Sequence, residues 1–293
     1  MKKVLLTIAM VLLAIAFAAC VRDSDDAPVA NETNGSTIMS IGPTVTEVLV
    51  ELGLGDRIIA ADDFSVMVPG VPGNLELIVD MWTLDVEAIL ALEPDIIVAT
   101  DMIMWGADPL ALVAEAGTRV VYVPVSSTID GIFENIRFIA YEMGVPAAAN
   151  PIVAHMEAEF AAVRAIAENI ENRRTVYFEI DMGPPMFTFG AGTFLHEILE
   201  IVGAVNIFAD DGTWVAVADE QILARDPDVI ITNDAWTDDP IGIIKGRPGW
   251  YGLTAVANNR VHHVDADTTS RDNHNIISAM REIARAVYPE HFN

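Results

Sequence analysis

Residues Asp85–Ala99 read DVEAILALEPDIIVA, and Ala218–Thr232 read ADEQILARDPDVIIT. Laid in register, the two agree at seven of fifteen positions, among them Glu87 with Glu220. Each reads as a short helix, a Pro-Asp corner and a buried strand. A chain that repeats one helix, corner and strand 133 residues apart is constrained to two similar units.

The rest of the chain alternates in the same way. TIMSIG (37–42), RIIAAD (57–62), DIIVAT (95–100) and RVVYVPV (119–125) read as strands, with helical stretches at 85–93 and 108–117. Thr44-Val-Thr-Glu47 offers a capping box for a helix ending at Gly53 or Gly55. The second half repeats the scheme with TVYFEI (175–180), a helix over 193–202, DVIITN (228–233), RVHHVDA (260–266) and a last helix over 273–288. Short Val/Ile-rich runs alternating with helices imply parallel strands in βαβ units. Between the halves lie long helical runs at 129–143 and 151–172. In the second, Ile152, His155, Met156, Glu159, Phe160, Val163, Ile166 and Ile170 fall at three- and four-residue steps, a mostly apolar stripe.

The expected fold is therefore α/β with two lobes, each a mainly parallel sheet flanked by helices. A long rigid inter-lobe helix joins them and a ligand cleft lies between. The expected boundaries are an N-terminal lobe at 37–146, the inter-lobe helix at 147–173 and a C-terminal lobe at 174–293.

The N-terminus, MKKVLLTIAMVLLAIAFAAC, has two lysines, then a sixteen-residue apolar run, then Cys20. A membrane span needs about 20 apolar residues, so residues 1–19 fit a secretory signal better. Phe17-Ala18-Ala19-Cys20 resembles the lipobox of bacterial lipoproteins, in which the signal is cut before the cysteine and the cysteine is lipidated. Phe17 departs from the usual Leu. Cys20 is the single cysteine of the chain and can have no intrachain disulfide partner. Residues 20–36 are acidic and polar without apolar periodicity, and read as a lipidated cysteine with a flexible tether.

Charge excludes one class of function. With 16 basic against 43 acidic residues the net charge is −27, which repels nucleic acid and anionic lipid. Membrane attachment is expected only through the lipid, and no nucleic-acid partner is expected.

Ligands of open parallel sheets bind outside the carboxyl ends of the strands. The loops after Ile41, Ala61, Thr100, Ile180, Thr232 and Ala266 should line the cleft. Candidate ligand contacts are Pro43 and Thr44 in the first of these loops and the aromatics Phe64, Trp82, Trp105, Trp214 and Trp236. Asp62, Asp63, Asp101, Asp181 and Asp267 crowd the same rim, and Arg271 is the best-placed cation against them.

The motifs SIGPTVTEVLVELGLGDRIIA, DVEAILALEPDIIVA, VYFEI, GAGTFLHEILEIVGAVNIFAD, ADEQILARDPDVIITN and RVHHVDA, taken in order, carry a resemblance. From about residue 38 to the end the chain resembles the solute-binding lipoproteins of bacterial ABC importers, in the helical-backbone class that carries iron–siderophore complexes, haem and cobalamin. The resemblance implies a monomeric, extracytoplasmic, lipid-anchored binding protein, not an enzyme. Its partners would be an ABC permease dimer with its ATPase subunits and a small-molecule chelate ligand. No resident cofactor is implied. By carry-over, Glu87 and Glu220 dock into arginines of the permease. An acid in the first turn also complements a helix dipole, worth about 0.3–1 kcal/mol, and that simpler role stays open. The acidic rim disfavours a tris-catecholate iron complex and favours a neutral or cationic chelate, or a corrinoid.

Three other functions stand against this one. A related group holds bare zinc or manganese through several histidines, but none of the six histidines here precedes His155. His262 and His263 alternate on one strand, so at most one faces the cleft, and His274 is expected in the core or on the surface. For an enzyme, the chain lacks a P-loop, a Rossmann fingerprint and a nucleophile elbow, and Glu179 and Asp181 alternate on a strand. A surface sensor or adhesin on the same fold is the third.

Overall fold

A computed structural model describes residues 35–104 and 106–292. Cys20, the tether to Asn34 and Trp105 lie outside the described residues.

The first lobe begins with β1 (Ile38–Ile41), buried along its whole length, followed by α1 (Pro43–Glu51). Next come β2 (Ile58–Asp62), β3 (Leu77–Val79), α2 (Val86–Leu92), β4 (Ile96–Thr100), α3 (Ala111–Glu115) and β5 (Arg119–Val123). The five strands form one parallel sheet in the order β3-β2-β1-β4-β5. Helices α4 (Ile129–Glu142) and α5 (Ala149–Ala167) then lead to the second lobe.

That lobe runs β6 (Thr175–Glu179), β7 (Met186–Phe189), α6 (Phe194–Ile201), β8 (Val205–Asn206), β9 (Trp214–Val217), α7 (Asp219–Arg225) and β10 (Val229–Thr232). It continues with α8 (Pro240–Gly246), α9 (Thr254–Ala257), β11 (Val261–His263), α10 (Ala266–Ser270) and α11 (Ile276–Val287). Its parallel sheet has the order β11-β10-β6-β8, and β7 pairs with β9 as a separate antiparallel ribbon. The antiparallel ribbon is absent from the expected scheme. Its strands, Met186–Phe189 and Trp214–Val217, are four residues each and are preceded by Gly-, Pro- and Asp-rich stretches that read as loop.

The repeated segment has the same geometry twice. Glu93 and Asp226, each before a proline, end α2 and α7 in the left-handed conformation, with φ of 51° and 40°. The next aspartate clamps the first strand of its own lobe. The Asp95 carboxylate accepts the Thr37 N–H at 2.7 Å and the Thr37 hydroxyl at 2.8 Å, while the same hydroxyl oxygen accepts the Asp95 N–H at 3.1 Å. Asp228 and Thr175 make the same three bonds at 2.9, 2.9 and 3.0 Å. The Pro-Asp corner therefore sets the register between the first strand of each lobe and the strand that closes the repeat.

Apolar packing makes the two lobes one body. A continuous core runs from β1, α1 and α4 through α5 (Val153, Met156, Phe160, Val163) to α6 and α11. Two smaller cores cover the outer faces of the sheets, under α2 and α3 in the first lobe and under α7, α8 and α9 in the second. The buried stripe of α5 is rotated from expectation. Val153 is buried, His155 is exposed and Ile166 is 40% exposed.

The start of α1 also differs. Gly42 is its N-cap and Pro43 its first residue, with no side-chain cap, so the Thr44–Glu47 capping box does not form. Proline fits the first helical position because its missing N–H has no partner there anyway. Glu47 is instead buried inside the helix face that meets the second lobe. Gly42 has φ +105°, and a Cβ there would stand 2.7 Å from Thr100 Cγ2, so this turn demands glycine.

Candidate functional site between the lobes

Strand order reverses between β1 and β4 in the first sheet and between β6 and β10 in the second. Both reversals open toward a single cavity of about 560 Å³ at the carboxyl ends of the strands. Another hollow of about 580 Å³ lies between α4, α5 and α6, with Asp130, Glu157, Glu197 and Glu200 on its wall. It stands away from both strand-end crevices, so the inter-lobe cavity is the candidate site.

The first lobe supplies Gly42, Pro43 and Thr44 after β1, Phe64 after β2, Met81 and Trp82 after β3, Thr100 and Met102 at β4, and Val125–Ser127 after β5. Buried Asp62 holds two of these loops together. Its carboxylate accepts the Gly42 N–H at 2.7 Å, the Phe64 N–H at 2.9 Å, the Ser65 N–H at 3.1 Å and the Ser65 hydroxyl. Asp101 Oδ1 accepts the Val125 N–H at 3.0 Å, joining the ends of β4 and β5. Asn135 of α4 donates to Pro124 O and Ser126 Oγ, which fixes the Ser126 turn.

The second lobe supplies Ile180 after β6, Gly192–Leu195 at the start of α6, Thr213 and Trp214 at β9, Asn233 after β10, and Thr269–Asp272 at the end of α10. The side walls are apolar and soft, with exposed Phe64, Trp82, Met102 and Trp214 facing a more polar floor. Such a wall suits a large, partly apolar ligand.

Across the floor the lobes are bonded to each other. Glu47 of α1 accepts from the Arg271 guanidinium, from Asn273 Nδ2 and, at 3.0 Å, from Asn275 Nδ2. Arg271 also bonds Asp267 at 2.7 Å, so both of its terminal nitrogens are engaged by carboxylates. The Asp272 carboxylate accepts the Ser126 N–H and a bond from the Thr44 side chain. Burial pushes the Asp272 carboxyl up to about 6, with the nearby Asp101 charge adding to that shift against the hydrogen bonds. Away from this cavity, on the wall of the hollow between α4, α5 and α6, Glu197 Oε2 accepts the Ile129 N–H that opens α4, at 2.8 Å.

Of the sequence candidates, Pro43, Thr44, Phe64, Trp82, Trp214 and Arg271 line this cavity. Arg271 does so as a neutralised ion pair rather than as a free cation. Three candidates stand elsewhere. Asp63 is exposed beside the wall and accepts the Met81 N–H at 3.1 Å, a loop-shaping role. Asp181 turns outward and closes its own turn through the Gly183 N–H at 2.8 Å. Trp236 is 90% exposed and off the wall. The Asp234 carboxylate, accepting the Trp236 and Thr237 N–H groups, throws that loop outward.

Glu87 and Glu220 are both exposed in the first turns of α2 and α7. The helix starts themselves are satisfied otherwise. Asp85 caps α2 by accepting the Ala88 N–H at 3.0 Å, and Gln221 reaches back to the Ala218 N–H at 3.0 Å. Glu179 is buried in a bidentate pair with Arg247 at 2.6 and 2.8 Å. His262, His263 and His274 are off the cleft wall, and among the described residues no three His, Cys, Asp or Glu side chains converge to hold a metal ion.

Sequence reasoning passed over Met81, Met102, Ser126, Asn233, Thr269 and Asp272. Position was the available signal, since most follow a strand within a few residues. Small polar residues after strands are common everywhere, and only the meeting of the lobes distinguishes these.

Comparison with known proteins agrees with this geometry. Residues 38–268 match the family model described as "Periplasmic binding protein". The chain is 28% identical over 279 residues to an ABC transporter substrate-binding lipoprotein, YvrC, of Bacillus subtilis (strain 168), covering 94% of this chain and 87% of that one. It is 28% identical over 254 residues to the vitamin B12-binding protein of Vibrio cholerae, covering 84% and 87%. Among solved structures, a possible iron-binding (periplasmic solute-binding) protein of Staphylococcus epidermidis superposes with a TM-score of 0.79 at 27% identity, over 86% of this chain and 98% of the other. Two parallel-sheet lobes meeting at one strand-end cleft, and a family match spanning most of the chain, lead to the same assignment: this chain belongs to the periplasmic binding protein family.

Proposed function

We propose that this protein is the extracytoplasmic, lipid-anchored substrate-binding component of an ABC importer. It captures a bulky corrinoid or a neutral or cationic iron chelate between its lobes and delivers it to the permease. The observation that carries the ligand class is the combination of aromatic and methionine walls with a floor on which Arg271, the one lining cation among the described residues, is already held by Glu47 and Asp267. A multiply anionic catecholate complex would enter without a counter-charge, whereas an uncharged or cationic ligand meets no such cost. The relatives named as B12-binding and possible iron-binding proteins support the same class. Glu87 and Glu220, exposed at equivalent helix starts, would meet basic pockets on the permease and its attached ATPase assembly would drive release. Cys20 would hold the chain at the membrane.

The test is thermal stabilisation of the purified protein against corrinoids, ferric hydroxamates, a ferric tris-catecholate, haem, and bare zinc or manganese. A ligand present at 100 times its dissociation constant should stabilise by about 2.7 kcal/mol. Stabilisation by bare metal alone, or by the tris-catecholate above all others, would overturn the reading.

A further inference from the structure

Resting on the ligand-binding reading above, we propose that the cleft floor recognises an N–H-bearing group of the ligand, a primary amide or an ammonium, through Asn233 Oδ1 and the Asp272 carboxylate acting together as acceptors. Both residues line the cavity and both are more than nine-tenths buried, at 7% and 9% exposure.

Asn233 is held with its amide in one orientation. The Thr269 hydroxyl gives its single proton to the Asp265 carbonyl at 2.6 Å, so toward Asn233 it accepts. The atom facing it at 3.0 Å is therefore Nδ2, which also approaches Ser270 Oγ at 3.3 Å. That leaves Oδ1 as a buried acceptor with no partner, one of two such side-chain atoms among the described residues. Buried polar atoms are almost always paired, and an exception in a side chain that lines a ligand cavity points to the ligand.

Asp272 lies two residues beyond Ser270 on the same part of the floor. Its carboxylate accepts neutral donors, the Ser126 N–H and the Thr44 side chain from the first lobe and its own backbone N–H. The adjacent Arg271 is turned to Glu47 and Asp267, and the charge that acts on Asp272 is the like charge of Asp101. Two acceptors, with no free cation on the lining among the described residues, make a floor that a ligand carboxylate or phenolate cannot satisfy. A hydroxyl has one proton and can serve only one of them. A primary amide or an ammonium brings two or three protons on one nitrogen and can serve both.

The full chain, purified in detergent, is titrated with two probe pairs. Dicyanocobinamide, whose ring carries primary amides, is compared with dicyanocobyrinic acid heptamethyl ester, the same ring without N–H donors on its side chains. A ferric trihydroxamate with a free ammonium, ferrioxamine B, is compared with its N-acetylated counterpart. The inference expects at least a tenfold preference for the donor-bearing member of one pair, and the pair that shows it identifies the source as amide or ammonium. Asn233→Leu should reduce that preference to about threefold or less, while Asn233→Asp, which keeps an acceptor at the same place, should retain it. Melting temperatures of both variants establish that they are folded, and the Asp variant carries the comparison if the Leu variant is not. Binding of a pair without preference, or a preference unchanged by Asn233→Leu, overturns this inference but leaves the ligand-binding reading intact. Failure of all four probes to bind overturns both.

Discussion

Glu47 in the middle of α1 and Arg271 just beyond α10 form an ion pair that crosses from one lobe to the other beneath the ligand cavity. The two residues are 224 positions apart, and each is mostly buried. Asn273 and Asn275 complete the shell around Glu47, and Asp267 holds the other arm of Arg271. A fully bonded charge of this kind fixes how the lobes sit, because losing one partner leaves the other buried and uncompensated.

Glu47→Ala should therefore destabilise the protein by about 3 kcal/mol, near the low end expected for breaking a buried pair because Asp267 still faces Arg271. Urea unfolding of the variant, of Arg271→Met and of the double variant gives the coupling. Additive losses with no interaction energy would show that the pair does not bind the lobes together.

The Asp272 carboxyl, pushed up to about 6 by burial, gives a pH dependence of definite sign. Its folded pKa lies above the ordinary carboxylate value near 3.9, so the folded state holds the proton more tightly. This group's contribution to stability therefore rises as pH falls from 7 through 6 and levels off near 4, by on the order of 2–3 kcal/mol in all. Asp272→Asn should remove that rise and should not weaken the protein at pH 7. Denaturation curves from pH 7 to pH 4 measure it, and identical pH profiles for the two proteins would sink the assignment.

The tryptophans separate by position. Trp82 and Trp214 line the cavity, whereas Trp236 is 90% exposed and off its wall. Trp82→Ala should weaken ligand affinity by roughly 3- to 10-fold, the equivalent of about 0.5–1.5 kcal/mol of aromatic contact. Trp236→Ala should leave affinity unchanged. Fluorescence titration of each variant reads this directly, and a larger loss from Trp236 than from Trp82 would place the ligand elsewhere.

Charge reversal at the repeated helix starts tests delivery to the permease. Glu87→Arg and Glu220→Arg touch neither the cavity wall nor the helix caps made by Asp85 and Gln221. Purified variants should keep ligand affinity and lose about 1 kcal/mol or less of stability, while uptake in cells falls with each and further with both. Normal uptake by a stable double variant would leave these glutamates as surface charges alone.

The sequence by itself determined the two-unit architecture. The duplicated helix, Pro-Asp corner and strand carries its own instructions, since a proline that stops the helix and the apolar run that follows it are local chemistry. The main strands were legible for the same reason, as buried parallel strands are continuous apolar runs. The bonds of Asp95 to Thr37 and of Asp228 to Thr175, which seat that corner alike in both lobes, span 58 and 53 positions and belong to the tertiary structure.

Tertiary structure alone decided the floor of the site. Glu47 reads as a capping-box partner in the sequence, yet the proline at the helix start and the approach of Arg271 from 224 residues away make it an inter-lobe anchor. Trp236 and Trp82 look alike as loop tryptophans, and an Asp234 turn sends one outward while the other stays at the cleft. Asn233 is one polar residue after a strand among many. Its unpaired oxygen is visible only because Thr269, fixed by the Asp265 carbonyl, holds the other end of the amide. Periodicity reports which face of an element is buried. It carries no information about which two distant polar groups will meet when the lobes close over their common core.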